Sequence, residues 1–173
     1  EAKVVHGKVA DMDGVSLYPS SIYRLQGYVR GTAKGIHQSK LDDQAALKLF
    51  LKDQDMYYAR VRITKVAKHY KTPLISYIND KGTRCWDDTE AVGKTIYMDK
   101  IGLEGMQDFH GMEYEILAGY YYNEGFNAKS CEVIEKLFHA RLEMKQKGNP
   151  IEQQYKLILN SAYGKTLLKA RED

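Results

Sequence analysis

Gly148 and Pro150 divide the last third of the chain into two predicted helices, and this division limits the possible folds more than any other feature. Residues 130–147 carry apolar side chains at the spacing of an amphipathic helix, and Gly148 stops that helix. A second helix starts at Pro150, since proline is favoured at the first helical position. Because the connection is so short, we expect the two helices to form an antiparallel hairpin.

The ends of both helices carry capping signals. Ser130 is the predicted N-cap of the first helix, and Asn149 is the predicted N-cap of the second. Glu152 stands three residues after Asn149, which predicts an asparagine version of the capping box. The second helix should end at Tyr163, before Gly164. The predicted apolar stripe of the first helix consists of Val133, Ile134, Leu137, Phe138 and Leu142.

The middle of the chain predicts strands with short helices between them. Residues 56–66 alternate between apolar and polar side chains, which is typical of a strand with one face in water. Residues 74–78 predict a second strand, followed by a turn over residues 79–82. Residues 114–122 predict a strand pair or one long strand. Short helices are predicted over residues 20–25, 41–51 and 99–106, and the fold class is therefore α+β.

Composition excludes little. The chain has 173 residues, with 26 Lys and Arg against 23 Asp and Glu, and a net charge of +3 is too small to indicate nucleic-acid binding by itself. Its two cysteines have no metal-ligand spacing, which predicts a reduced intracellular protein. It has no apolar run long enough for a membrane span and no signal-peptide pattern, so we expect a soluble protein that is not secreted.

The stretch from residue 8 to residue 19 has the pattern of a metal and phosphate site. Residues 8–12 predict a half-buried strand that ends at Asp13, and Gly14 allows a tight turn there. A carboxylate before a turn that exposes successive N–H groups can hold a divalent cation and its phosphates. Asp11 is an alternative ligand, because side chains two residues apart on a strand point to the same face.

Two motifs make the pattern specific. Asp13-Gly-Val-Ser-Leu-Tyr-Pro19 and Lys156-Leu-Ile-Leu-Asn-Ser-Ala-Tyr-Gly164 resemble the first and second polymerase motifs of family B DNA polymerases. Their spelling, and the long gap between them, are most similar to the protein-primed branch of bacteriophages, adenoviruses and linear plasmids. The resemblance implies a DNA-directed DNA polymerase that adds deoxynucleotides to a primer 3′ hydroxyl or to a priming-protein hydroxyl, in viral, phage or plasmid replication.

The first motif supplies the implied catalytic metal ligand. By resemblance, Asp13 is catalytic and binds metal, because it alone stands in the motif register, and the carbonyl of Gly14 is a further metal ligand. The resemblance implies two Mg²⁺ or Mn²⁺ ions in the full enzyme. The backbone N–H groups of Ser16 and Leu17 would hold the β- and γ-phosphates. Tyr18 would lie under the sugar of the incoming nucleotide and exclude a ribose 2′-OH.

The predicted helices supply further nucleotide ligands. Lys156, Asn160 and Tyr163 share one helix face by their spacing, with Leu157 and Ile158 directed away from it for packing. By resemblance, Lys156 would bind a triphosphate oxygen, and Tyr163 and Gly164 would contact the nascent base pair.

Arg141 and Lys145, four residues apart on the first helix of the hairpin, match the basic residues that family B enzymes place there to hold the triphosphate.

The resemblance also divides the chain into segments. Residues 1–55 would be a palm segment, residues 56–125 an insertion that resembles the terminal-protein-contacting region, residues 126–165 the fingers hairpin, and residues 166–173 the start of the return to the palm. Residues 86–90 faintly echo the third family motif but are interpreted as an acidic loop. Since no third motif follows, we expect a fragment that does not polymerise alone.

The resemblance implies primer–template DNA and dNTPs as partners, with a terminal priming protein as a candidate and no membrane. It places the protein in the cytoplasm of a bacterial or phage-infected cell. Two alternatives remain open: a non-catalytic module that binds DNA or a priming protein, and a replicase that extends ordinary nucleic-acid primers.

Overall fold

A computed structural model of the chain describes Gly7, Gly14, residues 16–166 and Leu168. The chain divides into two compact units, Val29–Phe126, called here the sheet unit, and Glu1–Tyr28 with Asn127–Asp173, called the helical unit. The described residues contain both helices and antiparallel sheet, which confirms the predicted α+β class. The assignment of segments to palm, insertion and fingers stays a prediction.

The elements are numbered in chain order. The helices are α1 (Leu17–Arg24), α2 (Gln44–Lys52), α3 (Lys100–His110), α4 (Ala128–Gln146) and α5 (Glu152–Thr166). The strands are β1 (Lys34–Gly35), β2 (Met56–Lys65), β3 (Ser76–Ile78), β4 (Arg84–Trp86), β5 (Thr95–Asp99) and β6 (Glu113–Tyr122). A 3₁₀ turn spans Gln38–Lys40. None of the helices in the described residues is long and apolar enough to cross a membrane.

A four-stranded antiparallel sheet in the order β1–β6–β2–β5 forms the centre of the sheet unit. The alternation predicted for β2 is confirmed, because its odd-numbered residues from 57 to 63 are buried and its even-numbered residues are exposed. The buried residues join one apolar core with side chains of α2 and α3, so both helices lie against the same face of the sheet. Leu47 and Leu51 of α2 and Leu103 and Met106 of α3 are the buried helix contacts.

Asparagine and aspartate side chains fix the ends of these elements. Asp43 caps α2 by accepting the N–H of Ala46 at 3.0 Å, and Asp99 caps α3 through the N–H of Gly102 at 2.7 Å. The turn predicted over residues 79–82 joins β3 to β4, and there Asn79 Oδ1 accepts two backbone N–H groups. These caps explain why the helices and the turn lie close to their predicted positions.

One strand prediction is confirmed in one of its two alternatives, and others need correction. Residues 114–122 belong to one long strand, β6, and do not form a strand pair. β5 was not predicted. Only two of its side chains face the core, which is too few to show the alternation of a strand. The predicted acidic loop over residues 86–90 begins one residue later, since Trp86 pairs with Ser76 at the end of β4.

The helical unit has a small core of its own. Ile22 of α1, Ile134 of α4 and Leu159 of α5 are buried together, with Leu137 and Phe138 packed against them. Burying an aliphatic side chain of this size contributes about 1.5–3 kcal/mol. Each of the three helices therefore packs one face against the other two.

The predicted end of α4 at Gly148 is confirmed, and the connection from α4 to α5 is short. Gly148 adopts the left-handed conformation at φ 64°, which an L side chain rarely adopts. The N–H of Asn149 reaches the carbonyl of Met144 at 2.9 Å and the N–H of Gly148 reaches that of Lys145 at 3.1 Å, which is a Schellman motif. Arg141 contacts Glu152 close to this connection, whereas Ile134 meets Leu159 further from it. The two helices therefore run antiparallel, as predicted.

The start of α4 was predicted wrongly. The helix begins at Ala128 with Asn127 as N-cap, and the hydroxyl of Ser130 donates to the carbonyl of Asn127 at 2.6 Å instead of accepting a backbone N–H. The apolar stripe is also narrower than predicted, because Val133 and Leu142 are exposed.

Three predictions on α5 also need correction. Leu157 and Ile158 do not pack: they are exposed, and Leu159 is the residue that is buried. Gly164 does not end the helix, which continues to Thr166. The side chain of Glu152 contacts Arg141 rather than the N–H of Asn149, so no capping box forms.

Helix α1 begins earlier than predicted, at Leu17 instead of residue 20. Pro19 therefore lies in the first turn of a helix, where its missing N–H would have had no partner within the helix. The strand predicted over residues 8–12 and the metal ligands proposed at residues 11 and 13 lie outside the described residues.

Candidate nucleotide-binding site

Two tyrosines from the two motifs stack on each other in the helical unit. Tyr18 lies in the first turn of α1 and Tyr163 in the last turns of α5. Their ring centroids are 4.1 Å apart and their planes differ by 2°. Such aromatic pairs contribute about 0.5–1.5 kcal/mol beyond the area they bury. The stack fixes the orientation of Tyr18, although 51% of that residue remains exposed.

Arg141 forms a second link between the first motif and the helical hairpin. Its Nη1 donates to Oγ of Ser16 at 2.8 Å, and its Nε donates to Oε2 of Glu152 at 3.2 Å. The side chain of Arg141 is only 16% exposed, so its position is well defined. A guanidinium has five N–H donors, and these two contacts leave others for an anion.

The N-terminus of α1 lies beside this arginine. Ser16 is the N-cap residue and adopts a left-handed conformation at φ 48° without capping the helix through its side chain. The first N–H groups of a helix have no partner within it and carry a partial positive charge. Leu17 is the first helical residue and is exposed, so its N–H group can meet a solvent-borne anion. Gly14 is exposed as well.

The remaining predicted cations are exposed and less constrained. Lys156 and Asn160 line an open depression of about 420 Å³ on α5, together with Glu152, Gln153 and Leu157. Within the described part of the chain, Lys145 and Lys156 make no ion pair or hydrogen bond. Lys147, in contrast, pairs with Glu143, and this contact lowers the pKa of the Glu143 carboxyl.

Gly164 lies inside α5, and a Cβ built there would meet no atom within 4 Å. The described part of the chain therefore does not require glycine at this position. Its missing side chain instead leaves the backbone of α5 open to a close approach from outside.

The comparisons with known proteins identify the family. A profile of the family described as DNA polymerase type B, organellar and viral, matches residues 3–171. The chain belongs to this type B polymerase family. A DNA polymerase of Acidianus bottle-shaped virus (isolate Italy/Pozzuoli) is 43% identical over 53 residues, which is 28% of this chain and 8% of that polymerase. The chain thus matches only a small share of that relative's length. No solved structure gave a significant match.

The structure brings together some of the residues predicted for a polymerase site and leaves others apart. Ser16 and Tyr18 of the first motif contact Arg141 and Tyr163 of the hairpin. Lys145, Lys156, Asn160 and Gly164 have no contact with that group among the hydrogen bonds, ion pairs and ring contacts of the described residues. Asp13 lies outside those residues. The nucleotide-binding and metal-binding roles of all of them stay predictions.

Glu152 contributes to this group of residues, although the sequence analysis did not predict that role. It was assigned to a capping box, but its carboxylate holds Arg141. A partial signal for this role is present in the sequence, because an antiparallel hairpin brings the residues near its connection together. Arg141 stands seven residues before Gly148 and Glu152 four residues after it, so the predicted hairpin places both near the connection without specifying their contact.

Proposed function

We propose that the helical unit forms the part of a DNA polymerase active site that binds an incoming deoxynucleoside triphosphate. The observation that carries the proposal is the pair of contacts between the first motif and the helical hairpin, Ser16 with Arg141 and Tyr18 with Tyr163. Residues from opposite ends of the chain meet here, and they are the residues that the family resemblance assigns to nucleotide binding.

The triphosphate would lie between the N-terminus of α1 and the hairpin. Arg141 is held near that N-terminus and can bind phosphate oxygens with a planar pair of donors. The N–H groups of Ser16 and Leu17 add neutral donors, while Lys145 and Lys156 add mobile point charges. Together these groups would offset the phosphate charge that develops as the nucleotidyl group is transferred.

Tyr18 would select the sugar. The stack on Tyr163 holds its ring in one orientation, and a rigid ring under the sugar leaves no room for a 2′-OH. Tyr163 and Gly164 would contact the nascent base pair, Gly164 through the open backbone of α5. Asn160 would add an amide on the same helix.

Asp13 and the carbonyl of Gly14 would hold a divalent ion, Mg²⁺ or Mn²⁺. Carboxylate and carbonyl oxygens are the ligands that such hard cations prefer. Among the described residues there is no cluster of three or more carboxylate, imidazole or thiol side chains that suits a metal. When bound, the ions would neutralise phosphate charge and assist the attacking hydroxyl. Primer–template DNA, and in the protein-primed case a terminal protein, would be the macromolecular partners.

The test is Mg²⁺-dependent primer extension by the polymerase that carries this segment, with Asp13→Asn and Asp11→Asn as a matched pair. We expect Asp13→Asn to abolish extension and Asp11→Asn to preserve it, because only Asp13 stands in the motif register. Loss of activity in Asp11→Asn alone would show that the wrong carboxylate is assigned. A folded wild-type protein that binds DNA without extending primers would instead favour the non-catalytic binding module.

A further inference from the structure

The open face of the four-stranded sheet in the sheet unit carries aromatic and basic side chains. Helices α2 and α3 lie on the other face, so this one has no helix of the unit against it. In the register of the sheet, Tyr58 stands opposite Tyr120 on β6, while Arg60 stands between Ala118 on β6 and Tyr97 on β5. These five residues are called here the tyrosine face.

The rings of the tyrosine face are accessible and arranged around a depression. Tyr97 is 60% exposed. Tyr58 and Tyr120 form a tilted pair with centroids 5.8 Å apart. An open depression of about 400 Å³ is lined by the five residues of the face together with Gly119. The aromatic groups therefore lie on both sides of Arg60, with a surface between them that is open to solvent.

The backbone keeps this depression open. Arg60 pairs with Ala118 and Val61 pairs with Ile116, so Leu117 is an extra residue in β6 and forms a bulge. Gly119 follows the bulge, and a Cβ there would lie 2.6 Å from the carbonyl oxygen of Tyr58. Gly119 therefore allows close pairing of the strands, and the small side chain of Ala118 leaves no bulky group between the tyrosines.

The tyrosine face carries positive charge at its centre, where Arg60 lies between the aromatic rings. Arg60 forms no ion pair or hydrogen bond within the described residues, and Arg62, next along the same face of β2, is only in loose contact with Glu115 at 4.0 Å. The nearest carboxylate in the row of Tyr58 is that of Asp99, which is occupied as the N-cap of α3. The face thus offers a cation between aromatic rings without a free carboxylate directly beside it.

We propose that the tyrosine face binds single-stranded DNA. Bases would stack on Tyr97 on one side and on the Tyr58–Tyr120 pair on the other, and Arg60 would neutralise the phosphate that connects them. Open antiparallel sheets with exposed aromatic rings are suited to single strands, because every base has a ring face for stacking and the backbone phosphates need only local positive charge. The site shares no residue with the nucleotide site, and its residues belong to no motif identified in the sequence.

The substitutions at Tyr97 must separate stacking from general apolar contact, since tyrosine and arginine are also frequent in protein interfaces. Tyr97→Phe keeps the ring, whereas Tyr97→Leu keeps an apolar side chain and removes the ring. Binding of a labelled oligothymidylate to the purified chain would be measured by fluorescence anisotropy, with EDTA and without dNTP. We expect Tyr97→Phe to bind like the wild type and Tyr97→Leu to bind about tenfold more weakly.

The contribution of Arg60 is tested with a matched pair on β2. Arg60→Gln should weaken binding and reduce the slope of log affinity against log salt by about 0.7. Lys65→Gln makes the same charge change on the same strand, but Lys65 is already paired with Glu113 at 2.8 Å, so its binding should equal that of the wild type. Photo-crosslinking from iodouracil in the oligonucleotide should label Tyr97 or Tyr120, and this readout needs no variant.

Several results would overturn the proposal: no binding of oligothymidylate, equal binding by Tyr97→Leu and Tyr97→Phe, or equal losses in Arg60→Gln and Lys65→Gln. A wild-type dimer that Tyr97→Leu converts to a monomer, with unchanged DNA binding, would assign the face to a second copy of the chain. Because EDTA and the absence of dNTP remove any contribution of the metal-dependent site, failure here would leave the proposed nucleotide site untouched.

Discussion

The contact between Arg141 and Glu152 gives a prediction whose size follows from burial. Their side chains are 16% and 23% exposed, and Nε lies 3.2 Å from Oε2. Exposed ion pairs contribute about 0–1 kcal/mol, whereas hydrogen bonds to charged groups contribute about 1.5–3 kcal/mol. Because both side chains are largely but not fully removed from water, we expect a coupling free energy between them of about 1–2 kcal/mol.

A double-mutant cycle measures this coupling. Arg141→Gln, Glu152→Gln and the double variant would be unfolded in urea, and the free energy of unfolding would be followed by far-ultraviolet circular dichroism. Arg141→Gln alone should lose more stability than Glu152→Gln alone, because it also breaks the hydrogen bond to Ser16. The two single losses should sum to more than the loss in the double variant by the coupling energy.

The control cycle uses Glu143 and Lys147 on the same helix. This pair is four residues apart and its side chains are 58% and 61% exposed, so we expect a coupling of about 0.3–0.5 kcal/mol. If the Arg141–Glu152 coupling is no larger than this control, Glu152 does not hold Arg141, and the positioning of the arginine for a triphosphate loses its structural basis.

Three further predictions concern single side chains. Tyr18→Val should raise the ratio of ribonucleotide to deoxynucleotide kcat/KM about tenfold or more in primer extension, while Tyr18→Phe preserves the wild-type ratio. His110→Ala should destabilise the sheet unit by about 1–3 kcal/mol or more in urea unfolding, because it leaves the N–H of Leu74, which the imidazole accepts at 3.0 Å, without a partner. His139→Ala, at an exposed position, should have no effect. Hydrogen bonds from the Thr89 hydroxyl and N–H lower the pKa of Asp87 to about 2. The ionised carboxylate of Asp87 therefore stabilises the fold fully above pH 3.8, and this stabilisation is lost as the pH falls towards 2. NMR titration of Asp87 should show this pKa, and the pKa should rise in Thr89→Val.

The sequence predicted the long periodic elements well, and it did so for a physical reason. In β2 every second side chain is buried against α2 and α3, so apolar and polar residues alternate along the sequence in the same way as buried and exposed positions. The helical hairpin was predictable because Gly148 can adopt the left-handed conformation that ends a helix. Pro150 has no N–H to donate and cannot stand inside a continuous helix, so a new helix has to start near it. Short strands such as β5 and β4 carry too few residues to show a period.

The candidate site was predictable in its residues but not in its contacts. The motifs named Tyr18 and Tyr163 separately, yet nothing in either motif states that the two rings stack on each other. The same holds for Ser16 and Arg141, which are far apart in the chain. Contacts of this kind depend on how α1 packs against α4 and α5 through Ile22, Ile134 and Leu159, and that packing is a tertiary property.

The failure of the predicted capping box shows how two local rules compete for one group. A capping box needs the backbone N–H of the N-cap residue, here Asn149, to be free for the glutamate three residues on. In this hairpin, the Schellman motif that ends α4 already uses that N–H, which donates to Met144. Asn149 accepts the N–H of Ile151 at 3.0 Å in the turn before α5, which begins at Glu152 and not at the predicted Pro150, but Glu152 has no backbone donor to reach. Its carboxylate is therefore available to Arg141, and the shortness of the connection, which the sequence does show, is what places the glutamate beside the proposed triphosphate ligand.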